Sequence, residues 1–204
     1  MSTAVPTDGP IPRGGGRAAI ATAAREVFQE RGYHGASIRD IARRAGLSLS
    51  ALYYWHPSKQ DLLAALIQEN TLDYFSRCDD ALADVGPDPA ARLAALVGAT
   101  VLYRVERQTE SNISNREWRN LEPEHAERLK ELRVKASTIW SDIVDAGVEQ
   151  GIFHCDDPVD ARRAAQAACN AIAEWYRPEG AVTPDELVDH YVRIVLRIVD
   201  HRVS

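Results

Sequence analysis

Apolar residues recur along this chain at steps of three and four, and no segment sustains the two-residue alternation of a strand. Ile20, Ala24, Val27 and Phe28 form the stripe of a first helix from Arg17 to about Arg31, closed by Gly32. Ile38 and Ile41, with Ala42 beside them, give a short second helix. Ser37 is suited to cap it, with Asp40 three residues on as a capping-box-like partner. Gly46 supplies a left-handed turn. Ser48 then caps a third helix from Leu49 to about Trp55, with Leu47 and Leu52 directed at the core and Trp55 expected to pack there too. Pro57 ends it. Ser58 opens a long helix with Asp61 in its first turn and Leu62, Leu63, Leu66 and Ile67 on a broad apolar face. That helix runs through Tyr74 and Phe75 to about Asp84.

Gly86-Pro87-Asp88-Pro89 breaks the pattern. A helix follows from Pro89 to about Gln108, with Leu93, Leu96, Val97 and Val101 inside. The polar run 108–116 reads as a loop. Pro123–Gln150 reads as one long helix carrying Leu129, Leu132, Ile139, Trp140, Ile143 and Val144. Asp157-Pro158 is an N-cap followed by proline at the first helical position, opening a helix to about Tyr176 that stops at Pro178. Thr183 and Glu186 form a capping box for the last helix, lined by Leu187, Tyr191, Ile194, Val195 and Ile198. The pattern predicts an all-α chain of about nine helices. It divides into a flexible arm (1–16), a three-helix head (17–63) and a helical body (64–204), with the boundary inside the long helix.

The turn between the second and third helices carries the candidate chemistry. Alanine at position 42 lets two helices cross closely, and glycine at 46 allows the sharp turn; this is the logic of a helix-turn-helix. The third helix exposes Ser48, Ser50, Ala51, Tyr53, Tyr54 and His56. Small hydroxyls at its start enter a DNA major groove without clashing, and tyrosine and histidine bond base edges or phosphates. Ser48, Ser50, Ala51 and Tyr53 are expected to face bases or the nearby backbone. Ser37, Tyr54, His56 and Lys59 are expected to hold phosphates, Lys59 from the N-terminus of the next helix. Arg39, on the outward face of the second helix, joins the DNA-facing set.

The charge distribution agrees with that reading. The net charge of −6 argues against a nucleic-acid binder. Residues 1–60, however, hold 8 Lys/Arg against 4 Asp/Glu, a net of +4, and residues 61–204 hold 16 against 26, a net of −10. A basic head on an acidic body fits a DNA reader. The composition is 45% hydrophobic, enough for a core, and no run of about 18 apolar residues suggests a membrane span. The first sixteen residues lack the apolar stretch of a signal peptide. Cys78, Cys155 and Cys169 are odd in number and widely spaced, as expected of reduced thiols in a cytoplasm.

The run IRDIARRAGLSLSALYYWHPSKQDLL resembles the DNA-binding signature of the TetR family of transcriptional repressors, with the match extending over about Ala18–Leu63. Trp55 departs from the phenylalanine usual there. The resemblance implies a homodimeric repressor that binds a palindromic operator and is released by a small effector, with the long helix as a stiff lever. From about Pro87 to Asp200 the body is similar to a subgroup that answers to acyl-CoA thioesters, on the residues Arg116–Glu124 and Asn170–Gly180. The resemblance therefore implies an acyl-CoA as effector; an uncharged, drug-like ligand is the alternative within the same family.

Two groups in the body are candidate ligand contacts. Arg104, Arg107, Arg116 and Arg119 surround the polar run, with Tyr103 and Trp118 nearby. They form either a plain surface patch or a basic mouth over an apolar cavity. Asn170, Trp175 and Arg177 sit near a helix end and serve either the dimer core or a ligand. Leu96, Tyr103, Trp140 and Trp175 are expected to supply an apolar interior. No cofactor is implied. There is no G-x-S-x-G elbow, H-E-x-x-H pair or Walker loop, and a helical ligand-binding protein or enzyme that does not bind DNA is the remote alternative. The acids Glu122, Glu124 and Glu127 beside His125 suit a helix start, and His154-Cys155-Asp156-Asp157 reads as a loop leading into a cap rather than a metal site.

Overall fold

The computed structural model describes residues 15–201, and the arm expected over 1–14 lies outside them. Among the described residues there is no strand. Ten α-helices and one 3₁₀ turn are present: α1 Gly15–Gly35, α2 Ile38–Arg44, α3 Leu49–Trp55, α4 Lys59–Ala83, α5 Pro89–Glu106, α6 Gln108–Glu117, the 3₁₀ turn Trp118–Asn120, α7 Pro123–Arg128, α8 Lys130–Glu149, α9 Pro158–Trp175 and α10 Pro184–Ile198. The chain divides into two compact units, one up to Leu62 and one from Leu63, so the division falls in the first turn of α4.

In the first unit, α1, α2 and α3 pack on one another around Ile20, Phe28, Ile41 and Leu52. α1 starts at Gly15, earlier than the arm predicts, and is broken at Gly32, whose φ of 66° only glycine adopts without strain. Ser37 Oγ accepts from the Asp40 amide at 3.0 Å and donates to Asp40 Oδ2 at 2.8 Å. Gly46 has a φ of 69°, and Ser48 Oγ accepts from the Ala51 amide at 3.1 Å. The hydrogen-bonding side chains at the caps therefore specify this turn as the sequence implies. Trp55 differs from expectation: it stays 37% exposed.

In the second unit, α5 is central and packs against α8, α9 and α10. Leu93, Leu96, Val97, Val101, Tyr103, Trp140, Phe153, Cys169 and Ile172 make its core. Thr183 and Glu186 form the capping box of α10. Two predictions are corrected. The polar run 108–116 is helix α6, not a loop. The single helix expected over Pro123–Gln150 is two, because Leu129 leaves helical geometry (φ −96°, ψ 0°) between α7 and α8.

Candidate functional site

The outer face of α2 and α3 is the first site. Ser37, Arg39, Ser48 and Ser50 are exposed, Ala51 is half-buried, and Tyr53 and Tyr54 are 45% and 79% exposed. Ser48 and Ser50 share a hydrogen bond at 3.0 Å, which fixes the hydroxyls at the start of α3. The Tyr54 ring stands edge-on to Trp55, with centroids 5.4 Å apart. Arg39 has no ion-pair partner among the described residues. The other arginines of α2 are held within the protein. Arg43 pairs with Asp40 at 2.7 Å, and Arg44 reaches both Glu30 and Glu26 on α1.

Two of the residues expected on this face lie elsewhere. His56 is only 7% exposed, and its burial, assisted by the charge of Arg17, lowers its pKa and favours the neutral ring. A ring so placed is not a surface phosphate ligand. Lys59 is half-buried. Its ammonium donates to the Tyr33 carbonyl at 2.8 Å and the Ala36 carbonyl at 2.9 Å, and lies 4.2 Å from the Tyr33 ring centroid. Gln60 adds a 2.8 Å bond to the Tyr33 hydroxyl. Lys59 thus spends two of its three donors on closing the link between α1 and α2. Desolvation lowers its pKa accordingly.

The second site is a cavity of about 460 Å³ in the second unit, within the range of small-molecule sites. Its wall grades from buried to exposed. Ile67, Asn70, Tyr74 and Arg104 are buried; Thr71, Ser114, Trp118, Ala136 and Asn170 are half-buried; Asn115, Arg119 and Arg133 stand at the exposed rim. Arg104 is 8% exposed. Its Nε and Nη2 donate to Asn170 Oδ1 at 3.2 and 2.9 Å, and Nη1 to Ser111 Oγ at 3.1 Å. The guanidinium carbon lies 5.1 Å from the Tyr74 ring centroid and 5.4 Å from that of Tyr103. Burial acts to lower its pKa, but a guanidinium stays protonated.

The predicted ligand contacts divide. Arg104, Trp118 and Asn170 line this cavity together with Arg119. Tyr103 and Trp140 are core residues behind it: Tyr103 donates to the Asn70 backbone carbonyl at 2.8 Å, and Trp140 Nε1 donates to the Tyr74 hydroxyl at 3.3 Å. Arg107 pairs with Asp73 and Glu110 on the surface, and Arg116 with Glu174. Arg177 donates to the Tyr176 carbonyl. Trp175 is 47% exposed and stacks on Tyr191, so it is no part of an apolar interior. The sequence reading missed Asn70, Thr71, Tyr74, Ser114, Asn115 and Arg133. One signal was available: Asn70 stands four residues after Leu66 and three after Ile67, a polar group in the apolar stripe of α4.

Among the described residues no group of His, Cys, Asp and Glu is arranged to hold a metal, and no helix is long and apolar enough to cross a membrane. Burial pushes the Cys78 thiol up to about 11 and Cys169 to about 12, so both stay protonated.

Two family models match the chain: "Bacterial regulatory proteins, tetR family" over residues 20–66 and "Tetracyclin repressor-like, C-terminal domain" over residues 86–199. The HTH-type transcriptional repressor KstR2 of Rhodococcus jostii is 31% identical over 95% of this chain and 96% of its own length. Among solved structures, a tetR-family regulatory protein from Rhodococcus RHA1 superposes with a TM-score of 0.85 at 26% identity, over 92% of this chain and 98% of that one. AibR, solved with isovaleryl coenzyme A and operator DNA, has a TM-score of 0.81 over 91% of this chain and 99% of its own. At 21% identity that likeness concerns the fold.

Proposed function

The chain belongs to the tetR family of transcriptional repressors, and from that premise we propose that it acts as a homodimer on a palindromic operator and is released by an acyl-CoA thioester. The observation that carries the reading is the pair of sites in one chain. One is a short helix presenting Ser48, Ser50, Tyr53 and Tyr54 to solvent; the other is a 460 Å³ cavity with arginines at its wall. A single helix-turn-helix reads too few base pairs for specificity, and a two-fold pair reads both halves of a palindrome. Ser50 and Tyr53 face bases, and Ser37, Arg39 and Tyr54 hold the backbone. The exposed Val159 and Trp175 of α9 and Ile194 of α10 supply the apolar surface for pairing.

The effector class rests on the cavity's chemistry. Arg119 and Arg133 at the rim suit the phosphates of coenzyme A, and each buried CH₂ of an acyl group adds about 0.8 kcal/mol. That a protein of this fold is seen with isovaleryl coenzyme A supports the choice. A gel-shift against genomic fragments, with and without a panel of CoA thioesters, tests both halves. We expect a salt-sensitive, sequence-selective complex dissolved by a thioester. Release by uncharged aromatic compounds alone would overturn the effector choice, and absence of any selective complex would overturn the operator.

A further inference from the structure

Resting on the reading of this cavity as the effector site, we infer that it selects ligands whose buried end carries a carboxylate, received by Arg104 and Asn170. The argument starts from charge. An arginine this deeply buried ordinarily has an anionic partner, because desolvating an unpaired cation is costly and arginine cannot relieve the cost by losing its proton. Among the described residues Arg104 has none. Its partners are an amide oxygen, a serine hydroxyl and two aromatic faces, all neutral.

Donor accounting points the same way. The guanidinium carries five N–H groups and places three on Asn170 and Ser111, leaving two without an acceptor among the described residues. Asn170 turns its oxygen to Arg104, and its amide N–H₂ has no acceptor either. Two acceptors of the cavity wall are already engaged. Asn70 Oδ1 accepts from the Tyr103 hydroxyl, and the Tyr74 hydroxyl is engaged by Trp140 Nε1 and Thr100. Spare donors beside a buried cation form a receptor for an oxyanion; Asn112 Oδ1, a buried acceptor without a partner, does not line the cavity. Burial separates this group from Arg119 and Arg133, which are exposed and placed for the phosphates of a coenzyme. Arg104 is left for a compact anion at the ligand's other end. The ligand class is thus an acyl thioester with a second, terminal carboxylate, as produced by oxidative opening of a ring or by chain oxidation at both ends.

Two matched pairs of probes, measured by calorimetry and thermal shift on the full chain, test this. One pair is glutaryl-CoA and pentanoyl-CoA, equal in chain length and differing by the terminal carboxylate. The other is 4-phenylbutyrate and 4-phenylbutyramide, which differ in charge and carry no nucleotide. We expect the carboxylate of each pair to bind at least tenfold more tightly, and Arg104→Met to bring both ratios near one. The wild-type ratios stand even if that variant does not fold. Equal binding within both pairs would overturn the carboxylate while leaving the thioester reading intact. Binding of phenylbutyrate over its amide with no binding of either thioester would sustain Arg104 as the anion receptor and overturn coenzyme A. Failure of all four probes would overturn both.

Discussion

Replacing Lys59 by methionine separates two accounts of this residue. Sequence logic places it on a phosphate; the structure places its ammonium on the Tyr33 and Ala36 carbonyls, at 2.8 and 2.9 Å. A hydrogen bond from a charged donor contributes about 1.5–3 kcal/mol. Lys59 is only half-buried, so water reaches the two carbonyls once the ammonium is gone, and the net loss falls below the sum. The position over the Tyr33 ring adds about 0.5–1 kcal/mol. A loss of about 2 kcal/mol is therefore expected, equivalent to about thirty-fold in the opening equilibrium at about 1.4 kcal/mol per decade. Amide hydrogen exchange on the DNA-free protein reads it directly: protection across the end of α1 and through α2 should fall by about that factor. If protection is unchanged while operator binding loses about one phosphate's worth of salt dependence (a slope change of about 0.9), Lys59 serves DNA and the reasoning fails.

Three further outcomes are expected. The folded pKa of His56 lies below the ordinary 6.5, so the unfolded chain takes up its proton first as pH falls. Its contribution is complete above the unfolded pKa and is lost as pH drops through the folded one. Denaturant titrations should show the chain less stable at pH 5.5 than at 7.5, with a smaller difference in His56→Gln. At Gly147 an added Cβ would lie 2.0 Å from Phe153 Cδ2 and 2.3 Å from Cε2, so Gly147→Ala should cost about 1–3 kcal/mol and lower Tm by several degrees; an unchanged Tm would show that Phe153 moves freely. Ile194→Asp should sediment as a monomer at micromolar concentration with its helicity retained, and a persistent dimer would place pairing elsewhere.

Legibility in the sequence followed the range of the interactions. Ser37, Ser48, Asp157 and Thr183 cap their helices through partners three residues away, and such local bonds can be read from spacing. α6 could not, because only Ser111 and Ile113 of it are buried. Its polar residues are held by α9 and its end, through Asn112 to the Ala173 carbonyl, 61 residues away, and Gln108 to the Tyr176 carbonyl, 68 residues away. Nothing at Leu129 signals a break, since neither proline nor glycine stands there. Arginine clustering left a surface patch and a basic mouth both open and did not show which arginine is buried. That depends on whether α5 turns the side chain inward, as for Arg104, or a helix end turns it out, as for Arg107. The tryptophans misled for a related reason: size alone does not decide exposure, and Trp140 is 1% exposed while Trp175 is 47%.

Asn70 ties α4 to two neighbours at once. Its amide oxygen and its backbone carbonyl both receive the Tyr103 hydroxyl of α5, and its amide nitrogen serves the Glu110 carbonyl and Ser114 on α6. Turning α4 by one residue, about 100°, would carry the amide away from all of these groups together. Halfway positions would leave buried donors and acceptors unmet, at about 1–3 kcal/mol each. The helix therefore behaves like a shaft resting in a notch. It stays seated or loses these bonds together, so small rotations of α4 about this point are disfavoured.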